Sequence, residues 1–144
     1  MRTIIKKIEI PMMNEIDKLA WLYIQGKRLL GARSRNKDIY YIPGGKREKG
    51  ESDREALIRE IQEELSIDLQ PETIAYAGSF QAQAHEKAEG VQVKLSCYFA
   101  EFTGEIRANA EIEEVIWLAY EDRQKCSPVT ILVMDWLKSA GMIV

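Results

Sequence analysis

With 144 residues, 46% hydrophobic and 30% charged, the chain has the size and composition of one folded domain, not of a disordered or membrane-embedded protein. Its formal net charge of −3 argues against nucleic acid as the main partner, since a backbone-binding protein needs an excess of cations. No apolar run is long enough to span a bilayer, the N-terminus lacks the apolar core of a signal peptide, and Cys97 and Cys126 lie outside any C-x-x-C pattern; a reduced, cytoplasmic protein without membrane contact is expected.

Residues 2–10 mix β-branched and charged side chains and predict an opening strand or arm, which Pro11 breaks. Residues 18–25 (KLAWLYIQ) are apolar, Gly26-Lys27 suits a hairpin turn, and residues 28–32 return as a second strand. A basic loop, Arg33-Ser34-Arg35-Asn36-Lys37-Asp38, leads to a short strand over 39–42. Pro43-Gly44-Gly45 then reads as a tight turn, because proline fixes φ and glycine reaches conformations closed to other residues. Ser52 and Glu55 have the spacing of a capping box and predict a helix start. Residues 68–72 form a connection punctuated by Pro71. Two longer β-segments, 74–83 and 91–102, flank the polar loop 84–90 as a hairpin, and a loop over 104–110 precedes a last strand at 113–119 with Trp117 expected inside. Pro128 suits the first turn of a closing helix over 129–138 that Gly141 ends, with Ile131, Leu132, Met134 and Trp136 as core candidates. Strands outnumber the two helices and come as hairpins, which predicts a single α/β (α+β) domain over 1–144 with a mixed sheet packed between helices.

The stretch over 44–67 carries the chemistry. At about 100° per residue, Glu60, Glu63 and Glu64 share one narrow sector of the helix, beside an apolar stripe of Leu57, Ile58, Ile61 and Leu65. Crowded carboxylates repel one another unless a cation neutralises them, and an oxygen-only donor set suits a hard divalent ion, Mg²⁺ or Mn²⁺. A solvated acidic face with Arg59 pairing Glu63 would need no ion. The close glycine turn and the apolar stripe favour the ion.

The same stretch resembles the Nudix box, G-x5-E-x7-R-E-U-x-E-E-x-G-U with U a bulky aliphatic residue. Gly45, Glu51, Arg59, Glu60, Ile61, Glu63, Glu64 and Ile67 match at the family's spacing, over about a sixth of the chain; Ser66 stands where the family has glycine. The resemblance implies an α/β/α sandwich and metal-dependent hydrolysis of a diphosphate joined to another moiety, most often a nucleoside. It also implies a site. Glu60, Glu63 and Glu64 would hold Mg²⁺ (Mn²⁺ serving as well) with the Gly44 carbonyl, Glu51 would be a further ligand or orienting group, and Arg59 would fix a box carboxylate. Glu60 or Glu111 would serve as general base, Glu111 because its loop could swing towards the metals and supply another ligand.

Around that site, His85 sits in a loop able to cover a substrate, and Tyr40, Tyr41 and Phe80 are aromatic candidates for stacking on a base or for the core. Arg33, ahead of Arg35, is the expected phosphate contact beside Gly45, because arginine forks match phosphate oxygens. The resemblance implies a nucleotide-type small-molecule substrate, with modified nucleoside triphosphates, ADP-ribose, sugar nucleotides, dinucleoside polyphosphates and capped RNA all open, and a homodimer is compatible with the chain. No asparagine stands near 126–128, where the family's purine reader would fall, which weakens any claim to 8-oxo-dGTP. The other reading is a non-hydrolysing nucleotide sensor, but such a domain usually has lost box carboxylates and here all are present.

Overall fold

The computed structural model describes residues 15–85 and 87–144; the strand expected over 2–10 lies outside them. In chain order the elements are β1 (Glu15–Leu22), β2 (Ile24–Gln25), β3 (Arg28–Ser34), β4 (Gly44–Gly45), helix α1 (Asp53–Leu65), β5 (Asp68–Leu69), β6 (Ala75–Gln83), β7 (Gln92–Phe99), β8 (Phe102–Thr103), β9 (Ile112–Leu118) and helix α2 (Pro128–Ser139). Two 3₁₀ turns, Pro71–Thr73 and Tyr120–Lys125, lead into β6 and α2.

The run Leu19-Ala20-Trp21-Leu22 explains why β1 is central. Alternate side chains of a strand face opposite sides, so an unbroken apolar run requires cover on both. Leu19 and Trp21 pack with α1, whereas Ala20 and Leu22 pack on the side of α2, and all four are buried. β1 pairs in parallel with β7 and antiparallel with β4, and β7 pairs antiparallel with β6, giving a mixed sheet ordered β4-β1-β7-β6. An antiparallel sheet β2-β3-β9 and the small pair β5-β8 complete the strands among the described residues. The expected hairpin at Gly26-Lys27 is a two-residue turn with φ of 59° and 61°, the conformation that suits the twist of paired strands.

Helix α1 begins as the capping box predicts. The Ser52 hydroxyl accepts from the Glu55 N–H, and the Glu55 carboxylate accepts from the Ser52 N–H. Ala56, Leu57, Ile61 and Leu65 bury its apolar face, at about 2 kcal/mol of stabilisation for each large aliphatic side chain. Its last carbonyls are met by the incoming loop: the Arg107 N–H donates to Leu65, and the Asn109 N–H donates to Glu64.

Several expectations are corrected. Residues 39–42 form no strand; Tyr41 and Tyr40 make single bridges to Ala32 and Cys126. The glycine pair expected as a turn is instead β4, laid against Leu19 and Ala20 of β1. A Cβ on Gly44 would strike the Leu19 carbonyl, so only glycine lets the backbone lie this close. The connection at 68–72 and the tail of the segment 91–102 pair with each other as β5 and β8. Trp117 is only half-buried, and Leu132 is 40% exposed because α2 buries the stripe Val129, Val133, Met134 and Leu137 instead. No helix among the described residues is long and apolar enough to cross a membrane. Both cysteines are buried free thiols, pushed up to about 12 by burial and therefore poor nucleophiles.

Candidate active site

Between the end of β4, the cleft-facing side of α1 and the N-terminus of α2 lies a cleft of about 460 Å³, within the range of small-molecule sites. Its acidic floor is Glu60 and Glu64 of α1 with Glu111 from the loop before β9. Its lining also includes the hydroxyl-bearing Tyr41, Ser127 and Thr130, with the Ser127 and Thr130 hydroxyls 2.8 Å apart.

Glu64 is 7% exposed and accepts a hydrogen bond from the Gly44 N–H at 3.1 Å. Burial pushes its carboxyl up to about 8, and the neighbouring Glu60 and Glu111 carboxyls, the latter in a hydrogen bond with it, add to the shift against the Gly44 N–H. Glu60 is raised for the same leading reason, burial, with Arg59 opposing. The glycine turn gives Glu60 its room, since a Cβ on Gly45 would run into the Glu60 carboxylate.

Arg59 sits on the other side of these acids. Its Nε and Nη2 donate to the two Glu51 oxygens at 2.7 and 2.9 Å, and Nη2 also donates to the Lys46 carbonyl at 3.0 Å. Its Nη1 lies 3.5 Å from Glu60 and 3.4 Å from Glu63. The guanidinium, with the Glu48 N–H, holds the Glu51 carboxyl down at about 2.

An oxygen-only donor set with a buried carboxyl forced towards its neutral form fits a hard divalent cation, which would reverse the cost of charging Glu60 and Glu64 together. Among the described residues, no three Asp, Glu, His or Cys side chains are yet disposed around one point as ligands. Glu63 is the reason on α1: its side chain is 51% exposed and turned to Arg59 rather than into the cleft.

The NUDIX domain family matches residues 15–131. The chain belongs to that family. A curated relative, the CTP pyrophosphohydrolase of Escherichia coli (strain K12), is 32% identical over 101 residues, covering 67% of this chain and 70% of that protein. Among solved structures, the E. coli ORF135 protein superposes with a TM-score of 0.68 at 27% identity, over 88% of this chain and 92% of that one. A MutT NUDIX hydrolase from Burkholderia pseudomallei reaches a TM-score of 0.70 at 23% identity, over 84% and 96%. The protein is thus a NUDIX hydrolase with the MutT-type fold.

Within this NUDIX fold the structure gathers Gly44, Gly45, Glu60, Glu64, Glu111 and His85 along one cleft. His85 stands at its rim with Nε2 3.9 Å from Asp38. It does not bring Arg33 or Arg35 there. Alternation along β3 turns Ala32 and Ser34 to the cleft and Arg33 away, where it binds Glu114 through Nε at 3.2 Å and Nη2 at 3.1 Å and donates to the Lys37 carbonyl. Arg35 donates to the Ala110 carbonyl at 2.6 Å and so braces the loop carrying Glu111. Of the aromatics, Tyr41 lines the cleft, Tyr40 donates to Glu114, and Phe80 packs on Trp136.

The cations that do line the cleft are lysines: Lys37, from the basic loop expected beside the phosphates, and Lys18, Lys46 and Lys87, which were not among the expected contacts. One signal was available: Lys46 directly follows the glycine pair, and Lys18 directly precedes the unbroken apolar run of β1.

Proposed function

We propose that the protein is a divalent-metal-dependent pyrophosphohydrolase that cleaves a phosphoanhydride bond of a nucleoside triphosphate, with Mg²⁺ the natural ion and Mn²⁺ an alternative. The observation that carries this reading is the buried Glu64 carboxyl facing Glu60 and Glu111 at the floor of a nucleotide-sized cleft. Such a floor is unfavourable alone and becomes favourable with a cation.

In this reading Glu60 and Glu64, with the Gly44 carbonyl, hold the ion, and Glu63 joins them on turning from Arg59. A bound divalent ion neutralises phosphate charge and makes water more acidic near neutral pH. Glu111 accepts the proton of the attacking water, and the Arg35 contact to Ala110 keeps its loop in reach. Arg59 and Glu51 brace the helix and the glycine loop rather than touch substrate. Tyr41 and Ser127, which line the same cleft, receive the nucleoside, with Thr130 buried behind Ser127. CTP heads the candidates because a relative at 32% identity is named for it.

The test is a hydrolysis screen of the common nucleoside triphosphates, CTP included, with Mg²⁺, Mn²⁺ or a chelator. Turnover of at least one nucleotide that stops on chelation is expected. Unchanged turnover in the chelator, or tight nucleotide binding with no turnover under any metal, would overturn the reading, the latter in favour of a sensor.

A further inference from the structure

Lys18 and Lys46 come from two strands laid side by side. β1 pairs with β4 in the register Leu19 to Gly45 and Ala20 to Gly44, so the residues just outside that pairing, Lys18 and Lys46, are neighbours, and both line the cleft. Among the described residues neither ammonium is held in an ion pair. Like charges facing one another across paired strands repel, and Glu64 and Glu60 in the same cleft offset this only in part, so a contact elsewhere that holds the two segments together favours the arrangement.

The other face of the same two segments supplies it. Residues next to each other in extended chain point to opposite sides, and Asp17 and Arg47, adjacent to the two lysines in sequence, meet there at 3.1 Å. Arg47 Nε also donates to Asp53 Oδ1, in the first turn of α1, and the Tyr98 hydroxyl of β7 donates to Asp53 Oδ2. The Lys46 carbonyl is held separately by Arg59. Residues from β1, β7 and α1 therefore fix the backbone on which Lys46 stands, while its side chain and that of Lys18 remain turned to the cleft.

We propose that Lys18 and Lys46 form a paired-lysine seat for the terminal phosphates of the substrate, and that the Asp17–Arg47–Asp53 clasp on the opposite face is what keeps the two lysines together. An anion between them removes their mutual repulsion and gains two charge-assisted contacts, while metal held at the acidic floor neutralises the phosphates nearer the nucleoside. Burial and the nearby Lys46 cation hold the Lys18 ammonium below its ordinary pKa, with Glu64 and Glu60 opposing in part, which agrees with the two like charges being close. Lys18 is then a binding and specificity residue that favours a free polyphosphate tail over a diphosphate capped by a neutral sugar. The identity of the anion as substrate phosphate rests on the hydrolase reading above; the seat itself does not.

Two measurements on the full chain separate these points. In chelator at low ionic strength, inorganic tripolyphosphate should raise the melting temperature of the wild type. Lys18→Met should lose at least half of that rise while melting, without ligand, at or above the wild-type temperature. Lys138→Met, a lysine on α2 over Tyr120, should keep the rise in full. Arg47→Met should lose much of the rise with both lysines present, and Arg47→Lys should restore part of it. A full rise in Lys18→Met, or an equal loss in Lys138→Met, would overturn the seat, and a full rise in Arg47→Met would overturn the clasp. For whichever nucleoside triphosphate the wild type hydrolyses, Lys18→Met should raise KM by about tenfold with kcat little changed; an unchanged KM would refute Lys18 as a substrate contact. If the wild type hydrolyses no nucleotide, the hydrolase reading fails, and the tripolyphosphate titration still decides the seat.

Discussion

Glu51 and Glu64 stand on either side of the Arg59–Glu60 pair and are pushed in opposite directions. Glu51, gripped by two N–H groups of Arg59 and by the Glu48 N–H, is held down at about 2. Glu64, shut into the cleft floor with one backbone N–H for company and two more carboxyls beside it, is raised to about 8. The residue type is the same and the two lie in one short stretch of chain. What differs is whether the fold supplies the countercharge. Where it does, the acid is part of the scaffold. Where it does not, the scaffold carries a cost that a ligand can remove, the usual relation between a prepared site and stability.

The sharpest way to break that comparison is the same neutral substitution at both positions. If Glu64 holds the metal as proposed, Glu64→Gln should lower kcat/KM by at least about 100-fold, because a metal-bound group acting in the transition state is worth several kcal/mol. Its metal-free melting temperature should be unchanged or higher, since the amide oxygen still accepts from Gly44 and the crowding of carboxyls is relieved. Wild-type turnover, or a clear drop in metal-free melting temperature, would place Glu64 in the scaffold instead.

Glu51→Gln should do the reverse to stability, lowering the metal-free melting temperature at neutral pH as Arg59 loses its bidentate partner. The pH dependence has a definite sign. A folded-state carboxyl held below its ordinary value of 4.5 contributes stability that is full above that value and is lost as pH falls towards about 2. The wild-type and Glu51→Gln melting curves should therefore converge in acid and separate near neutrality; equal melting at neutral pH would count against the Arg59 brace.

How much of this was legible beforehand depends on whether the signal was local. The capping box, the hairpin at Gly26-Lys27 and Pro128 at the start of α2 are each written within a few consecutive residues, and each stands where expected; of the acidic helix face, Glu60 and Glu64 line the cleft while Glu63 turns to Arg59. The box itself is a local pattern, and with it the family was readable. Pairings between distant segments were not. Nothing near Pro43 says that Gly44 and Gly45 will lie against β1, or that residues 68–69 will find 102–103. The face each residue of β3 presents was also hidden, because Arg33-Ser34-Arg35 is polar throughout and gives no alternation to read. Hence the arginines were expected at the phosphates, and the lysines of β1 and the glycine loop were overlooked.

With Arg33 bound to Glu114 and the Lys37 carbonyl, Arg33→Ala should leave KM within about twofold of wild type. Its effect should fall on stability, at about 1 kcal/mol or less for a partly exposed pair. A tenfold rise in KM would return Arg33 to the substrate.

The smallest expected effect is at Ser66, the one departure from the box. The residue ends α1 with φ 62° and ψ 30°, a left-handed conformation, and its N–H donates to the Gln62 carbonyl at 3.0 Å. Its side chain is exposed and adjoins the cleft acids only through the helix backbone. A non-glycine residue in this conformation costs about 1–2 kcal/mol, whereas glycine there carries an unfolded-chain entropy penalty of about 0.5–1 kcal/mol. The balance favours glycine by a few tenths to about 1 kcal/mol, enough to raise the melting temperature of a domain this size by a few degrees at most. Ser66→Gly should therefore stabilise slightly, and kcat and KM should not move, because the backbone hydrogen bond that ends the helix is kept. A loss of stability would mean that the serine hydroxyl contributes to the helix exit, and a change in kcat would mean that the exit angle of α1 sets the position of Glu63 and Glu64.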